Sequence, residues 1–568
     1  MRVCLRRMAG IWFGLTLVTA PARGAELVSV TSTGAAGNGT SSRPAISADG
    51  RFVAFESDAS DLVDNDTNGS SDVFVRDLQS GTTTLVSRNL AGTGSANDAS
   101  FGAVISADGR VVGFQSSASD LIATDTNEVL DIFARDLATG TTVCASLNAD
   151  GSDTGDDFSL GPALSANGRY LAFYSNATNL VPNDTNGDRR DAFVRDLTSM
   201  TTTLVSASAD GLGSGDLSSG DFALQPSISA DGRYIAFESF ADNLLLNFVD
   251  GNDFGVDVFV RDTVARQTVV ASINANGTAS GNQFSDGPVL SADGRVVAFT
   301  SRATDLVAGV SVNHGFVADV YARDLTAGTT ALVSINAAGS ATGNDESTAP
   351  VINANGRFVA FESVATDLVG NDQNGLRDVF VRDRELGTTT LVSVNAAGTG
   401  SGSGASAAPS LSANGRFVAF VSDADDLVPN DNNGTPDVFV RDLLAGTTTL
   451  VSVKHDGGAG GDAGSMTPML SADGQFVAFD SAAGDLVDND GNGTTDVFRA
   501  ATGGPPACVG DCSYDDAVTV DEIIEGVNIA LGLRPVVDCL PFDTSDDGTV
   551  TVEEIIAAVN AVLIGCPM

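Results

Sequence analysis

Two twelve-residue segments near the C-terminus carry oxygen-bearing residues at one shared spacing. The first holds Asp511, Ser513, Asp515, Ala517, Thr519 and Glu522 at positions one, three, five, seven, nine and twelve, and the second holds Asp543, Ser545, Asp547, Thr549, Thr551 and Glu554. Positions one, three, five and twelve supply side-chain oxygens, seven a backbone carbonyl and nine a water bridge, while a Glu at twelve can offer both oxygens at once. That is the donor set a hard cation with six to eight oxygen ligands requires, so both segments are read as calcium loops. Gly548 allows the sharp mid-loop turn in the second segment; Asp516 stands there in the first and weakens it.

A second, repeated set lies upstream in the form Asp-x-Asn-Gly-x-x-Asp. It comprises Asp66, Asn68 and Asp72; Asp372, Asn374 and Asp378; Asp431, Asn433 and Asp437; and Asp490, Asn492 and Asp496. Alternate oxygens followed by Gly suit calcium, but Asx and Gly residues also build ordinary turns, and no Glu closes these loops. Both readings stand at this point.

The upstream loops are copies because the chain around them is copied. Ser47-Ala-Asp-Gly-Arg-Phe-Val-Ala-Phe55 returns, nearly unchanged, from Ser106, Ser165, Ser229, Ser291, Asn353, Ser412 and Ser471. A repeat of about 60 residues signals a solenoid, propeller or array. Each copy contains four short runs that read as strands, in the first copy 44–47, 52–57, 72–77 and 82–87, with Asp49-Gly50 as a tight-hairpin signal. The second and third runs are apolar without alternation, as expected of strands covered on both faces, and the more polar fourth run belongs outside. Residues 26–30 match a fourth strand with no first three before it, and the last copy stops after its third. One blade is therefore expected from both termini, closing an eight-bladed ring without free sheet edges.

Composition removes several functions. The formal charge of −44 makes nucleic acid an unlikely partner, and half of the Arg residues occupy two fixed repeat positions, those of Arg51 and Arg76, where they read as forks that bridge neighbouring loops or pair with repeat Asp residues. His314 and His455 lie outside the repeat and have no second His at ligand spacing, which argues against histidine-based catalysis and zinc. The single Trp, Trp12, falls in the N-terminal apolar stretch. Arg2, Arg6 and Arg7 followed by that stretch and Ala22-Arg23-Gly24 read as a secretory signal peptide over 1–24, placing the mature chain in the periplasm or outside the cell. Copies four and five depart from the pattern at Asp250-Gly-Asn-Asp253 and Val310-Ser-Val-Asn-His-Gly315, where a special face would be sought first.

The hairpin motif and the later Asp72-Val-Phe-Val-Arg-Asp77 strand resemble the TolB-like propeller repeat over residues 26–499. The resemblance implies an all-β, eight-bladed propeller over 25–501 and says little of activity, since such blades occur in periplasmic binding proteins and beside peptidase domains. No Gly-x-Ser-x-Gly elbow with a downstream His can be assembled here, so the peptidase implication lapses. After a linker at 502–507, the two loop-helix units, with helices expected over 522–531 and 554–564, resemble a dockerin or a duplicated EF-hand-like module over 508–566. Ile523, Ile524 and Val527, and Ile555, Ile556 and Val559, recur there at helical spacing. The resemblance implies calcium and a docking partner of the cohesin or envelope kind. Val520-Asp521 and Val552-Glu553 replace the hydroxyl pair many dockerins use for that contact, so calcium carries over better than cohesin recognition.

Cys508, Cys512, Cys539 and Cys566 crowd this small module, which suits two disulfides in an exported domain; Cys508–Cys539 with Cys512–Cys566 is the favoured pairing. Cys144 stands apart as a small buried residue. The leading expectation is an exported, non-enzymatic binding or scaffold ring, meeting a protein or glycan at its loops and carrying a calcium-ordered docking module. A carboxylate-dependent glycan-active enzyme and a surface-layer component are the alternatives.

Overall fold

The computed structural model describes residues 24–220, 225–247, 249–252, 255–312, 315, 317–503, 508–512, 518–534, 539–542 and 550–564. Eight four-stranded antiparallel sheets account for the repeats; seven run in sequence order from first to fourth strand, and the eighth takes its fourth strand from the N-terminal segment. In blade one the strands are Ser41–Ile46, Phe52–Ser57, Asp72–Asp77 and Thr82–Leu85. The second and third coincide with the sequence reading. The first starts three residues earlier than expected, because a bulge between Ser42 and Ala45 lets the chain pair with the second strand on both sides of Arg43.

Each sheet is buried on both faces, which is why its inner strands do not alternate. Val53, Ala54, Phe55, Val73 and Phe74 are all fully buried. The apolar cores lie between blades: Val53, Phe55 and Phe74 of blade one pack with Ala478 and Val497 of blade eight, and Ala54, Val73 and Val75 pack with Val112, Phe114 and Phe133 of blade two. Phe55 and Phe74 stack across the strands at 5.8 Å between ring centroids, and blade eight repeats the pair with Phe479 and Phe498. The outer strand is wetter, with Thr82 exposed and only Leu85 buried.

The hairpin between the first two strands is wider than a two-residue turn. Asp49 accepts from the Ser47 hydroxyl at 2.6 Å and from the Arg51 amide at 3.0 Å, while Gly50 takes φ of +74°. A Cβ at Gly50 would lie 2.4 Å from the ring of Phe476 in blade eight, so Gly there serves interblade packing as well as the turn.

Ring closure follows the expected pattern. The N-terminal strand Glu26–Leu27 pairs with Asp496–Ala501, the third strand of the last repeat, through Glu26↔Arg499 and Leu27↔Phe498. A second belt runs round the axis as eight backbone hydrogen bonds from one blade's hairpin to the next, including Ala48 to Ala107 at 2.9 Å and Asp473 back to Ala48 at 3.2 Å.

The tail holds two helices, α1 at Val520–Ala530 and α2 at Val552–Ile564, with a short 3₁₀ turn at Leu540–Phe542. Both helices begin two residues before the expected starts, because Thr519 and Thr551 cap them: each Thr accepts from the amide of Glu522 or Glu554 at 3.3 Å, and each Glu accepts from the Thr amide in return. Phe542 sits fully buried in a core with Cys508, Val518, Ile529, Cys539, Val550 and Ala558. The bond observed is Cys512–Cys539, which corrects the pairing favoured from sequence; Cys508 is also disulfide-bonded. That choice depends on which thiols meet around Phe542, information that spacing along the chain does not carry. Cys144 is buried and free, as expected.

Candidate cation loops and the channel mouth

The last aspartate of each repeated loop opens the third strand and is fixed by a hydroxyl from the second residue after the fourth strand. Ser87, Ser146, Ser206, Ser272, Ser334, Ser393, Ser452 and Ser29 donate to Asp72, Asp131, Asp191, Asp257, Asp319, Asp378, Asp437 and Asp496 at 2.5 to 2.8 Å. Burial is the main cause that lifts Asp72, Asp131, Asp319 and Asp378 to about 7, against hydrogen bonds that favour the anion. The loop Asn bridges to the next blade. Asn68, Asn433 and Asn492 donate their side-chain amides to Asp72, Asp437 and Asp496 and to the carbonyls of Ala96, Gly461 and Gly37, while Asn374 reaches Gly402. The Asn oxygens cap the turn by accepting from the amides of Ser70, Leu376, Thr435 and Thr494.

The first aspartate of each loop behaves differently. Asp66, Asp372, Asp431 and Asp490 are 7%, 4%, 4% and 8% exposed. Yet Asp66 Oδ1, Asp372 Oδ2, Asp431 Oδ1 and both oxygens of Asp490 are buried with no hydrogen-bond partner, as is Asp184 Oδ2 in blade three. A buried anion without partners is costly, so oxygens left in this state fit a bound cation. No cluster of three or more His, Cys, Asp or Glu side chains is found among the described residues. A cation in these loops would rest on two carboxylates, with neutral oxygens completing its shell.

In the tail, Asp511 and Glu554 are 3% and 6% exposed. Thr519, Glu522, Thr551 and Glu554 form the two caps described above, whereas Ser513, Asp515, Ala517, Asp543, Ser545, Asp547 and Thr549 lie outside the described residues. Ile523 and Ile555 turn toward the core. Ile524 and Ile556 are instead 53% and 55% exposed, so the apolar spacing seen in sequence serves two faces on each helix.

Of the two repeat arginine positions, the Arg51 type forks onto repeat aspartates as expected, whereas the Arg76 type reaches a fourth-strand Thr instead. Arg51, Arg357 and Arg416 fork onto Asp77, Asp383 and Asp442 while stacking over Phe52, Phe358 and Phe417. Burial works to raise Asp77, but hydrogen bonds from Arg51 and Ser80 outweigh it and bring it down to about 2. Arg76-type residues reach the fourth strand, as Arg76 does to Thr83 at 3.0 Å.

The first strands line a central channel. At one level it is walled by Ile46, Ile105, Leu164, Ile228 and their equivalents above a ring of alanines. It widens into a chamber of about 930 Å³, where Gln225, Asp286, Thr300, Arg302 and Thr348 break the apolar wall. Asp286 lies 3.7 Å from Arg302, and burial is the main cause that raises its carboxyl. Acids of the second strands, by contrast, are engaged by the bulges: Glu56 accepts from the Gly102 amide at 2.6 Å and Glu362 from the Ala408 amide at 2.7 Å. The sequence reading missed this chamber. Its signal was copy four, whose stretch from Ser214 to Ser229 is four residues longer than Ser95 to Ser106. The departures singled out instead are loop positions; within them Asp250 takes the place of Asp66, and Asp253 and His314 lie outside the described residues. His455 is half exposed, with Nε2 3.2 Å from Asp488.

Closed eightfold sheets around one axis define the class, an eight-bladed β-propeller. No family model and no curated relative matches the chain. Among solved structures it is similar to the Dos1 propeller at 13% identity and a TM-score of 0.42, covering 82% of this chain and 94% of that one. It is also similar to TolB from Acinetobacter baumannii at 14% identity and 0.30, covering 72% and 77%, and to an oligogalacturonate lyase from Vibrio parahaemolyticus at 13% and 0.37, covering 70% and 88%. These likenesses are distant, and no activity is carried over from them. No helix among the described residues is long and apolar enough to cross a membrane.

Proposed function

We propose that this protein is a non-enzymatic binding and scaffold propeller acting in the periplasm or outside the cell. In this reading the channel mouth receives a ligand, a glycan or a segment of protein, and the tail docks the ring to a partner or to the envelope once calcium has ordered it. The observation that carries the reading is the Asp286–Arg302 pair facing a chamber of about 930 Å³, whereas the repeat pairs such as Arg51–Asp77 tie strands within a blade. An apolar chamber with a few convergent polar groups is the common form of a ligand site. Docking is supported by matching exposed apolar residues of the two tail helices, Val520 and Ile524 on α1 with Leu531 capping its end, and Val552, Ile556 and Leu563 on α2.

In the tail, Asp511, Ser513, Asp515 and Glu522, and Asp543, Ser545, Asp547 and Glu554, would hold calcium through side-chain oxygens, with carbonyls at Ala517 and Thr549 and water at Thr519 and Thr551. The ion would take Glu522 and Glu554 from their caps, so calcium and the free-state cap compete for one carboxylate. Calorimetric titration should show at least one tight calcium site, weakened about tenfold or more by Glu554→Gln. Identical melting with chelator and with calcium would sink the assignment.

Binding at the channel mouth is tested with neutral and uronic oligosaccharides and with peptides. Asp286→Ala with Arg302→Ala should lower affinity without changing the melting temperature. One observation favours the glycan-active alternative: burial raises the Asp286 carboxyl, as a general acid requires. Release of shorter glycans by the wild type, abolished by Asp286→Asn, would replace the binding reading with that one.

A further inference from the structure

The repeated loops differ in one small respect that changes the state of a buried carboxylate. In six blades the chain crossing over the loop from the adjoining repeat brings a hydroxyl residue to it: Ser95, Thr154, Ser214, Ser280, Thr342 or Ser401. Ser214 and Ser401 donate to Asp184 and Asp372 at 3.1 Å, and Thr154 reaches Asp125 at 3.4 Å. In the closing blade that chain is the N-terminal segment, and the corresponding residue is Ala36. Ala has no hydroxyl to give, and neither has Gly460 over the Asp431 loop, where one Asp431 oxygen rather than both is buried and unpartnered. Asp490 nevertheless keeps its place, 8% exposed, with both carboxylate oxygens buried and unpartnered.

A proton does not resolve this. Burial raises the Asp490 carboxyl, but a proton on one oxygen would still leave the other buried oxygen without a side-chain donor. A cation can engage both oxygens together. Asp496 is the second acid of the loop, and the charge on Asp490 works to raise it, after burial as the main cause. Around the pair the N-terminal segment is already clasped: Ser29 donates to Asp496 at 2.6 Å, Asn492 donates to the Gly37 carbonyl at 2.7 Å, and the Ala36 amide donates to the Asn489 carbonyl at 3.2 Å. Carboxylate and carbonyl oxygens surrounding a hard charge favour calcium over softer ions.

We propose that the closing-blade loop holds a calcium-class divalent cation on Asp490, with Asp496 as the second acidic ligand, and that this ion fastens the N-terminal segment to the end of the last repeat. The site stands apart from the calcium module of the tail. Metal binding and ring closure become linked, because the ion binds the closed seam and not the opened one.

The test uses the full chain with Glu522→Gln and Glu554→Gln to silence the tail, melted in calcium and in chelator and followed by hydrogen exchange. Calcium at about 100-fold over Kd should raise the melting temperature by about 2–5 °C. It should also slow exchange at the amides of Val28, Val30 and Ala36 by about tenfold or more. Asp490→Asn should abolish both effects. No calcium effect on melting or on these amides overturns the proposal, as does an effect that survives Asp490→Asn. Slowed exchange confined to other blades, or lost with Asp431→Asn instead, likewise overturns the assignment to the seam. Should Asp490→Asn fail to fold, the exchange comparison on the tail-silenced chain decides alone, and protection localised to residues 28–36 is the supporting result.

Discussion

Blade one and blade eight contain the same four-stranded sheet, but blade one is drawn from continuous chain and blade eight from both termini. In blade one Arg51 forks onto Asp77 across the end of the second and third strands. Blade eight has Gln475 and Ala501 at those positions, and its Arg499 turns instead to the ring of Phe476, the Gly50 carbonyl and Glu26, an ion pair spanning nearly the whole sequence. Where covalent connection is missing, side-chain bonds between the termini take its place. Chain continuity supplies effective concentration without any contact; a seam must supply the same through contacts.

Removing residues 25–30 should give the largest effect on this contrast. Leu27, Val28 and Val30 are buried, and each contributes about 1.5–3 kcal/mol, so the loss should exceed about 5 kcal/mol by chemical denaturation. Unchanged stability would mean that the seam is dispensable. Next come Phe74→Ala and Phe498→Ala, one ring in each blade, both fully buried. Each should cost about 3–5 kcal/mol, and agreement within about 1 kcal/mol would show the seam blade to be packed as tightly as a continuous one.

A pH series sharpens the contrast from another blade. Asp319 has Val312 where other loops carry the first aspartate, since Ser311 takes the place of Asn65, and burial lifts it to about 7. Its folded value lies above the unfolded one near 4, so the native state holds the extra proton. That contribution is fully present below about pH 4 and is lost as pH rises toward 7. Asp319→Asn should flatten this part of the stability profile in chelator, and calcium should leave the Asp319 contribution unchanged; an unaltered slope would remove Asp319 from the titration. The smallest effect belongs to Glu26→Gln, which weakens a half-exposed ion pair at 2.8 Å and should cost under about 1 kcal/mol, less in high salt.

Much of the ring was legible because each strand's burial repeats with its text. Two of the four strands of blade one were readable to the residue, and the closing strand could be read from Glu26–Val30 matching Leu391–Val394. The first strand was placed late, because its bulge depends on an interblade bond from the Arg43 amide to the Asp480 carboxylate, which no local propensity encodes. The cation loops were readable as acidic turns, but their two aspartates could not be told apart. Only packing shows that Asp72 is held by Ser87 while Asp490 is left without a partner. The chamber was missed because Asp286 and Arg302 lie in unremarkable text and become a pair only when the first two strands of blade five pair and line the channel.

By itself, the sequence determined the unit, its number and its closure, since these follow from short-range patterning and repetition that every copy states again. Tertiary structure alone decided which carboxylates are satisfied, which cysteines pair and where the eightfold wall is broken. Those outcomes depend on neighbours brought together from distant positions, such as Ala36 against Asp490, and the energy of a buried charge is set by the few atoms that end up around it.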